Sequence, residues 1–295
     1  MHNAAFAALG LNWRYLAFEV EPQNLRAAIV GARAMQFAGL NLTVPHKLLA
    51  MEMVDALDGS AKMWGAVNTV RFEGRAAKGG WRPLREFGAG TSNRKPPEGG
   101  TPNEIRAVGF NTDADAILAA LREDLKMELR GAKVLLLGAG GAGRTAALRL
   151  AAEKVGELFL ANRTRSKAEA IATEIKKRFP SVQVATGYPQ AAVDLVLNAT
   201  SLGLQPDDGS PVRGKDFTLK QTRAVYDMIY RPSETRLLRA AQEAGCRTAN
   251  GLGMLLYQGA KAFEIWTGRK APIQVMRQAL EATVYGSQSR VHSPK

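Results

Sequence analysis

The sequence predicts an α/β fold in two domains, the second of them a doubly wound parallel sheet. Three observations predict it. The 295 residues exceed one typical domain of roughly 100–200 residues. From Lys133 to Met228 short apolar runs alternate with helical segments, the rhythm of βαβ units. One of those runs, Lys133–Leu137, is a continuous apolar stretch, as expected for a central parallel strand buried on both faces.

The elements follow in order. Asn3–Leu9 reads as the end of a helix, and Trp13–Val20 as a strand because it carries aromatic and branched residues. Pro22–Ala32 has proline at a helix start and apolar residues at helical spacing. Gly39–Val44 reads as a short strand, Pro45 opens a helix through about Leu57, and Val67–Phe72 is another strand. Gly74–Pro102 is rich in Gly, Pro, Lys and Arg and reads as a mobile surface insertion without function. Order resumes at Ile105, and Asp113–Leu125 is an amphipathic helix. After Lys133–Leu137 come a helix at Arg144–Ala152, a strand at Glu157–Ala161 and a helix at Lys167–Phe179. Strands at Val182–Ala185, Asp194–Asn198 and Ala224–Met228 follow, then a helix at Glu234–Ala244. Helices at Gly253–Thr267 and Pro272–Tyr285 close the chain, and the polar tail from Gly286 to Lys295 frays. The expected boundaries are 1–110 for the first domain and 111–252 for the second, with 253–286 packing back on the first, 74–104 as a flexible insertion and 287–295 as a disordered tail.

Composition narrows the class. At 46% hydrophobic and 23% charged the chain is an ordinary globular protein. No run of about 18 apolar residues exists to span a membrane. The start, Met1-His2-Asn3-Ala4-Ala5-Phe6, has no basic n-region, which argues against a secretory signal. One cysteine, Cys246, cannot form an internal disulfide and reads as a small buried residue, in keeping with a reducing cytoplasm. The net charge is +13, and between Arg71 and Arg106 eight basic residues face four acidic ones. No compact basic helix accompanies the charge, so it does not predict nucleic-acid binding.

The strand at Lys133–Leu137 runs straight into Gly138-Ala139-Gly140-Gly141-Ala142-Gly143. This is G-x-G-x-x-G between a strand and a helix, the context that a Rossmann-type dinucleotide site requires. Gly138 permits the tight turn, Gly140 lets the backbone approach a pyrophosphate, and Gly143 lets helix and strand pack closely. The helix start offers free N–H groups and partial positive charge to phosphates. The tip of the next strand selects the cofactor. NAD enzymes place a carboxylate there for the ribose hydroxyls. Here the tip reads Asn162-Arg163-Thr164-Arg165 with Lys167 nearby. Arg163 and Arg165 can clamp a 2′-phosphate, and Asn162 and Thr164 can add neutral bonds, so the expected cofactor is NADP.

Three motifs precede the glycine turn: Asn41-Leu42-Thr43-Val44-Pro45-His46-Lys47, Gly65-Ala66-Val67-Asn68-Thr69 and Gly109-Phe110-Asn111-Thr112-Asp113. Each places polar residues at a strand end, where α/β sheets present ligands. Downstream lie Asn198-Ala199-Thr200-Ser201, Tyr226-Asp227-Met228-Ile229-Tyr230 and Asn250-Gly251-Leu252-Gly253-Met254-Leu255-Leu256-Tyr257-Gln258. In this order and spacing the set resembles the shikimate dehydrogenase family over nearly the whole chain apart from the insertion and the tail. The resemblance implies an oxidoreductase that reduces 3-dehydroshikimate to shikimate reversibly with NADPH, on the route to chorismate and aromatic amino acids. It implies Lys47 and Asp113 as the catalytic acid/base pair. It implies Thr43, Asn68, Tyr230 and Gln258 as substrate ligands, and Thr200, Gly251 and Met254 beside the cofactor with the glycine turn. Lys47 and Asp113 are expected to face the nicotinamide in a cleft between the domains. The implied partner is this small molecule, with neither nucleic acid, membrane nor metal, on a monomer or homodimer. His46 reads as a surface residue, His2 as non-catalytic and Tyr257 as packing.

The chain departs from the family at its start, where a first strand and a serine turn that binds the substrate carboxylate normally precede Met-His-Asn. The expectation is that the natural chain begins upstream. Ala114 stands where the family often has glycine, an exchange a helix tolerates. Two other readings stay open: a quinate/shikimate dehydrogenase of broader specificity, and a catalytically impaired NADP-binding protein.

Overall fold

The computed structural model describes residues 1–75, 81–84, 105–212, 214 and 216–286. They form two compact units. One comprises His2–Thr112 with Gly259–Ile273, the other Asp113–Gln258 with the residues from Gln274 onward. Of the closing stretch 253–286, only 259–273 groups with the first unit.

In the first unit α1 (His2–Ala8), α2 (Leu25–Ala34), α3 (His46–Leu49) and α4 (Gly59–Trp64) surround a mixed sheet of β1 (Gly39–Asn41), β2 (Ala56–Leu57), β3 (Thr69–Arg75), β4 (Trp81–Pro83) and β5 (Ile105–Phe110). β3 pairs antiparallel with β1, β4 and β5, and β2 joins β5 in parallel. Leu25, Ile29, Val67, Val70, Phe72 and Ala107 form its core. Phe263 and Trp266 add to it, Phe263 stacking on Phe6, and the Trp266 indole N–H donates to the Val70 carbonyl at 2.9 Å. That indole lies close against Gly39, where a Cβ would sit 2.1 Å from the ring nitrogen.

Three expectations fail in this unit. Trp13–Val20 is not a strand. Among the described residues it has no partner strand, and Leu16 and Phe18 are about two-thirds exposed at 65% and 64%. The Asn3 amide instead bonds the backbone N–H and carbonyl of Tyr15, at 2.7 and 3.0 Å, as a strand neighbour would. Pro45–Leu57 is not one helix. It ends after α3 and a 3-10 turn at Ala50–Glu52, because the Asp55 carboxylate accepts the Ala107 N–H and Ala56–Leu57 pairs with β5. Asp58 then caps α4, accepting the Ser60 N–H at 2.7 Å. Finally, the Gly-rich stretch after Phe72 contains the end of β3 and all of β4, a ladder of backbone bonds that asks little of side chains. The remainder of that stretch, and the tail at 287–295, lie outside the described residues.

The second unit is a six-stranded parallel sheet of β6 (Lys133–Leu137), β7 (Glu157–Ala161), β8 (Gln183–Thr186), β9 (Val193–Asn198), β10 (Thr222–Asp227) and β11 (Arg247–Asn250) in the order β11-β10-β9-β6-β7-β8. Counted from β6 this is 3-2-1-4-5-6, the order of dinucleotide-binding sheets, with its switch point between β6 and β9. α5 (Asp113–Leu125), α6 (Gly141–Ala152), α7 (Arg165–Arg178), α8 (Arg236–Glu243), α9 (Leu252–Thr267) and α10 (Ile273–Val284) complete the helices. Leu135, Val196, Val225 and Leu237 lie in the core with Cys246, which is 8% exposed. β11 escaped the sequence pattern because Arg247-Thr248-Ala249-Asn250 is a polar edge strand. Among the described residues no helix is long and apolar enough to cross a membrane.

Candidate active site

The glycine turn leaves β6 at the switch point. Gly138 has φ +104°, a left-handed conformation that glycine adopts without strain. A Cβ there would also press within 2.9 Å of the Ala199 carbonyl oxygen at the end of β9. At Gly143 a Cβ would lie 2.2 Å from the Gly138 carbonyl oxygen, so α6 rests directly on the turn. Gly140 is different. It precedes α6 with φ −80° and ψ −170°, and no atom lies within 4 Å of where its Cβ would be. Open space over Gly140, and the N–H groups of Gly141, Ala142 and Gly143 that no intrahelical carbonyl can reach, make a fitting cradle for a pyrophosphate.

The tip of β7 lies beside this turn. The Asn162 carboxamide accepts the Ala139 N–H at 3.1 Å and donates to the Thr164 carbonyl at 2.8 Å. It therefore ties the phosphate turn to the loop that follows β7. Arg163, Thr164, Arg165 and Lys167 are exposed, and Arg165 pairs with Glu169 one helical turn on at 2.8 Å. No carboxylate occupies the tip itself, so the residues present fit a ribose 2′-phosphate.

Under the ends of β9 and β10 lies a buried polar network. The Asn198 amide donates to Asp227 at 2.9 Å and accepts from the N–H and hydroxyl of Thr200 at 3.0 and 2.8 Å. Asp227 accepts further bonds from the Ile229 N–H and the Thr235 hydroxyl. Burial pushes the Asp227 carboxyl above its usual range, and these hydrogen bonds pull it back. The Gly251 N–H bonds the Ile229 carbonyl, and a Cβ at Gly251 would lie 2.0 Å from the Met228 carbonyl oxygen. The Met254 N–H donates to the buried Tyr226 hydroxyl at 3.3 Å. Thr200 thus follows the end of β9, which borders the switch point, and Gly251 and Met254 follow the end of β11.

The polar residues of the first unit surround Asn68. Its side chain is buried, donating to the Thr112 hydroxyl at 2.9 Å and accepting the Thr112 N–H at 2.8 Å. Asn111 is held too, its N–H on the Ser60 hydroxyl and its amide on the Ala66 carbonyl. Lys47 is half-buried in α3, whose carbonyl at Lys47 accepts the Val67 N–H. Thr43 is exposed in the turn before it, where its carbonyl accepts the His46 N–H at 2.8 Å. His46 is not a surface residue: it is 9% exposed, in the first turn of α3.

Thr43, Lys47 and Asn68 therefore share the first unit. Asp113, Tyr230 and Gln258 belong to the second. Asp113 is buried in the first turn of α5, where the helix dipole favours an anion. Tyr230 is 36% exposed just after β10, and Gln258 lies half-buried on α9 with its amide on the Leu255 carbonyl. Tyr257 bonds Glu123, which also pairs with Arg277, so its hydroxyl serves packing of α5, α9 and α10. Asn41, Asn198, Asp227 and Thr235 were not singled out from the sequence as site residues. The first three stood inside quoted motifs, which was the available signal.

Residues 1–70 match the shikimate dehydrogenase substrate binding domain, residues 120–203 the shikimate/quinate 5-dehydrogenase family, and residues 251–281 the shikimate 5′-dehydrogenase C-terminal domain. A shikimate dehydrogenase (NADP(+)) of Methanopyrus kandleri is 40% identical over 287 residues, covering 95% of this chain and 89% of its own. A crystal structure of a shikimate dehydrogenase in complex with NADP+ superposes with a TM-score of 0.77 at 35% identity, covering 96% of this chain and 89% of that one. The Thermus thermophilus enzyme in complex with NADP(H) and shikimate gives 0.74 at 32% identity, with 95% and 92% covered.

Proposed function

The chain belongs to the shikimate dehydrogenase family, and from that premise we propose that it catalyses the reversible, NADPH-dependent reduction of 3-dehydroshikimate to shikimate. The observation that supports this reading most is the glycine turn with open space over Gly140 beside a β7 tip of exposed arginines and no carboxylate. The second unit then holds the cofactor, with the first turn of α6 on the pyrophosphate and Arg163 and Arg165 on the 2′-phosphate. Thr200, Gly251 and Met254 line the nicotinamide. NADPH, when bound, supplies the hydride for the ring carbonyl. Lys47 donates a proton to the oxygen that gains negative charge, and Asp113 is the carboxylate of the acid/base pair and holds a substrate hydroxyl. In the oxidative direction the same pair removes that proton. Thr43, Asn68 and Gln258 orient the hydroxyls, and Tyr230 stands near the carboxylate. The single thiol at Cys246 fits a reducing cytoplasm, and the protein works as a monomer or homodimer.

The test is NADP-linked oxidation of shikimate, followed by NADPH absorbance, in the wild type and in Lys47→Ala. The expected result is turnover that Lys47→Ala lowers by about 10²–10⁴-fold, with NADP affinity unchanged. Preference for quinate with NAD, or undiminished turnover in Lys47→Ala, would overturn the assignment.

A further inference from the structure

One polar chain in the first unit reaches Asn68 from residues that the chemistry above does not use. It begins at Tyr15, in the irregular segment fastened by Asn3. The Tyr15 ring packs among the rings of His2 and Trp266, and its hydroxyl donates to the Asn41 side-chain oxygen at 3.1 Å. The Asn41 amide nitrogen donates in turn to the Thr69 hydroxyl at 3.0 Å and to the Asn68 carbonyl at 3.3 Å. The Thr69 hydroxyl is 3.4 Å from the Asn68 side-chain oxygen and 3.4 Å from the Thr112 hydroxyl. Asn68 then grips Thr112, the residue before Asp113, through both its amide atoms.

We propose that Tyr15 is a positioning residue for substrate binding, its hydroxyl helping to fix which way round Asn41 sits and, through Thr69, how Asn68 is held. The reason is the direction of the bonds. A carboxamide has one donor end and one acceptor end of nearly equal size. The Asn68 carbonyl, which can only accept, and the Tyr15 hydroxyl, placed to donate, together set the nitrogen of Asn41 toward Thr69 and its oxygen toward Tyr15. Thr69 receives that N–H, so its own proton is free to go onward to Asn68 or Thr112. Without the phenol, the Asn41 oxygen has lost its donor, and only the 3.3 Å bond to the Asn68 carbonyl opposes a half-turn. After a half-turn the Asn41 oxygen takes the Thr69 proton, and the bond from Thr69 toward Asn68 is lost. Asn68 cannot compensate by turning, because the Thr112 backbone N–H requires its oxygen. Thr69 and Asn68 are buried, at 0% and 2% exposure, so no solvent substitutes for the missing bond. Burial also pushes the Tyr15 phenol above its ordinary value, which favours the protonated form that donates.

The inference rests on the reading of Asn68 as a substrate ligand. Tyr15→Phe keeps the ring packing and removes only the oxygen, and Asn41→Ala removes the middle of the chain. Both variants are expected to raise KM for shikimate about tenfold, equivalent to ~1.4 kcal/mol, with kcat and KM for NADP within about twofold. Amide hydrogen exchange at Thr112 should quicken in both, a readout independent of turnover. Unchanged KM for shikimate together with unchanged Thr112 exchange in an active wild-type background overturns the inference, as does an equal loss in kcat and in NADP binding. Absence of shikimate turnover in the wild type, with Thr112 exchange quickened in Tyr15→Phe, fails the functional reading while leaving the relay standing.

Discussion

Gly140 and Gly143 are three residues apart in one motif, and the structure assigns them opposite liabilities. In Gly143→Ala the new methyl lies 2.2 Å from the Gly138 carbonyl oxygen and 2.8 Å from its carbon, where ordinary contact begins at 3.4 Å. The obstacle is backbone, so relief requires moving α6 by about an ångström from a packed sheet. Overpacking of this kind costs about 1–3 kcal/mol, and the upper end applies because no side chain can yield. At roughly 2–4 °C per kcal/mol for a domain of this size, Tm falls by about 6–12 °C. In Gly140→Ala the methyl meets nothing within 4 Å and the backbone angles suit any residue. Stability without cofactor stays within about 0.5 kcal/mol. The methyl instead fills the space over the turn, and NADP affinity drops about 30-fold, or ~2 kcal/mol. Thermal unfolding without ligand and calorimetric titration with NADP separate the two effects. Wild-type NADP affinity in Gly140→Ala, or an unchanged Tm in Gly143→Ala, would refute the assignment of these roles.

Three further outcomes follow from single residues. Arg163→Ala should weaken NADP by about tenfold or more, the loss of one charge-assisted bond, and leave NAD binding unchanged; equal losses on both cofactors would remove it from the 2′-phosphate. Asp227→Ala leaves the Asn198 amide and the Thr235 hydroxyl without their buried acceptor, so urea denaturation should show a loss of about 3 kcal/mol or more. Asp124 supplies a pH dependence. Burial, then repulsion from Glu123, raise its carboxyl from 3.8 to about 6, with Arg277 and Lys126 pulling the other way. A Cβ on Gly253 would lie 2.2 Å from this carboxylate, which shows how tightly it is enclosed. A raised folded value means that the folded state binds the proton more tightly. The stabilisation is complete below the unfolded value and is lost as pH rises from about 4 through about 6. Asp124→Asn removes that loss, so Tm should rise at about pH 7.5, by an amount equivalent to roughly 1 kcal/mol after allowing for solvent, and stay level at about pH 4. A gain of the same size at both pH values would assign the effect to packing.

The two halves were not equally legible in the sequence. The parallel sheet was readable because its central strands are apolar runs closed by turns, the polar edge strand β11 excepted, and the glycine motif marks the turn from β6 into α6. The first unit follows tertiary demands that local pattern does not carry. Ala56–Leu57 is two residues long and exists because β5 accepts it as a neighbour. Trp13–Val20 has strand composition but pairs with no strand among the described residues, so it stays irregular. β4 lies in a stretch whose glycines, prolines and charges argue against a strand, because backbone pairing with β3 depends on register more than on composition.

The same contrast governs the site. Motif positions such as Lys47, Asn68, Asp113 and Thr200 were visible as residue types, whereas the bonds around Asn68 and Thr200 were not. Asn41, Asn198 and Asp227 are buried or half-buried polar residues whose value lies in partners more than 25 residues away, as in the 29-residue span from Asn198 to Asp227 and the 28-residue span from Asn41 to Thr69. Each end alone reads as turn material. Once both ends are desolvated, an unmade bond costs more than the bond contributes when made. A site built this way resists gradual loosening. Removing one distant oxygen, as in Tyr15→Phe, should act on Asn68 through bond direction, with little change in side-chain volume and with the ring packing around residue 15 intact.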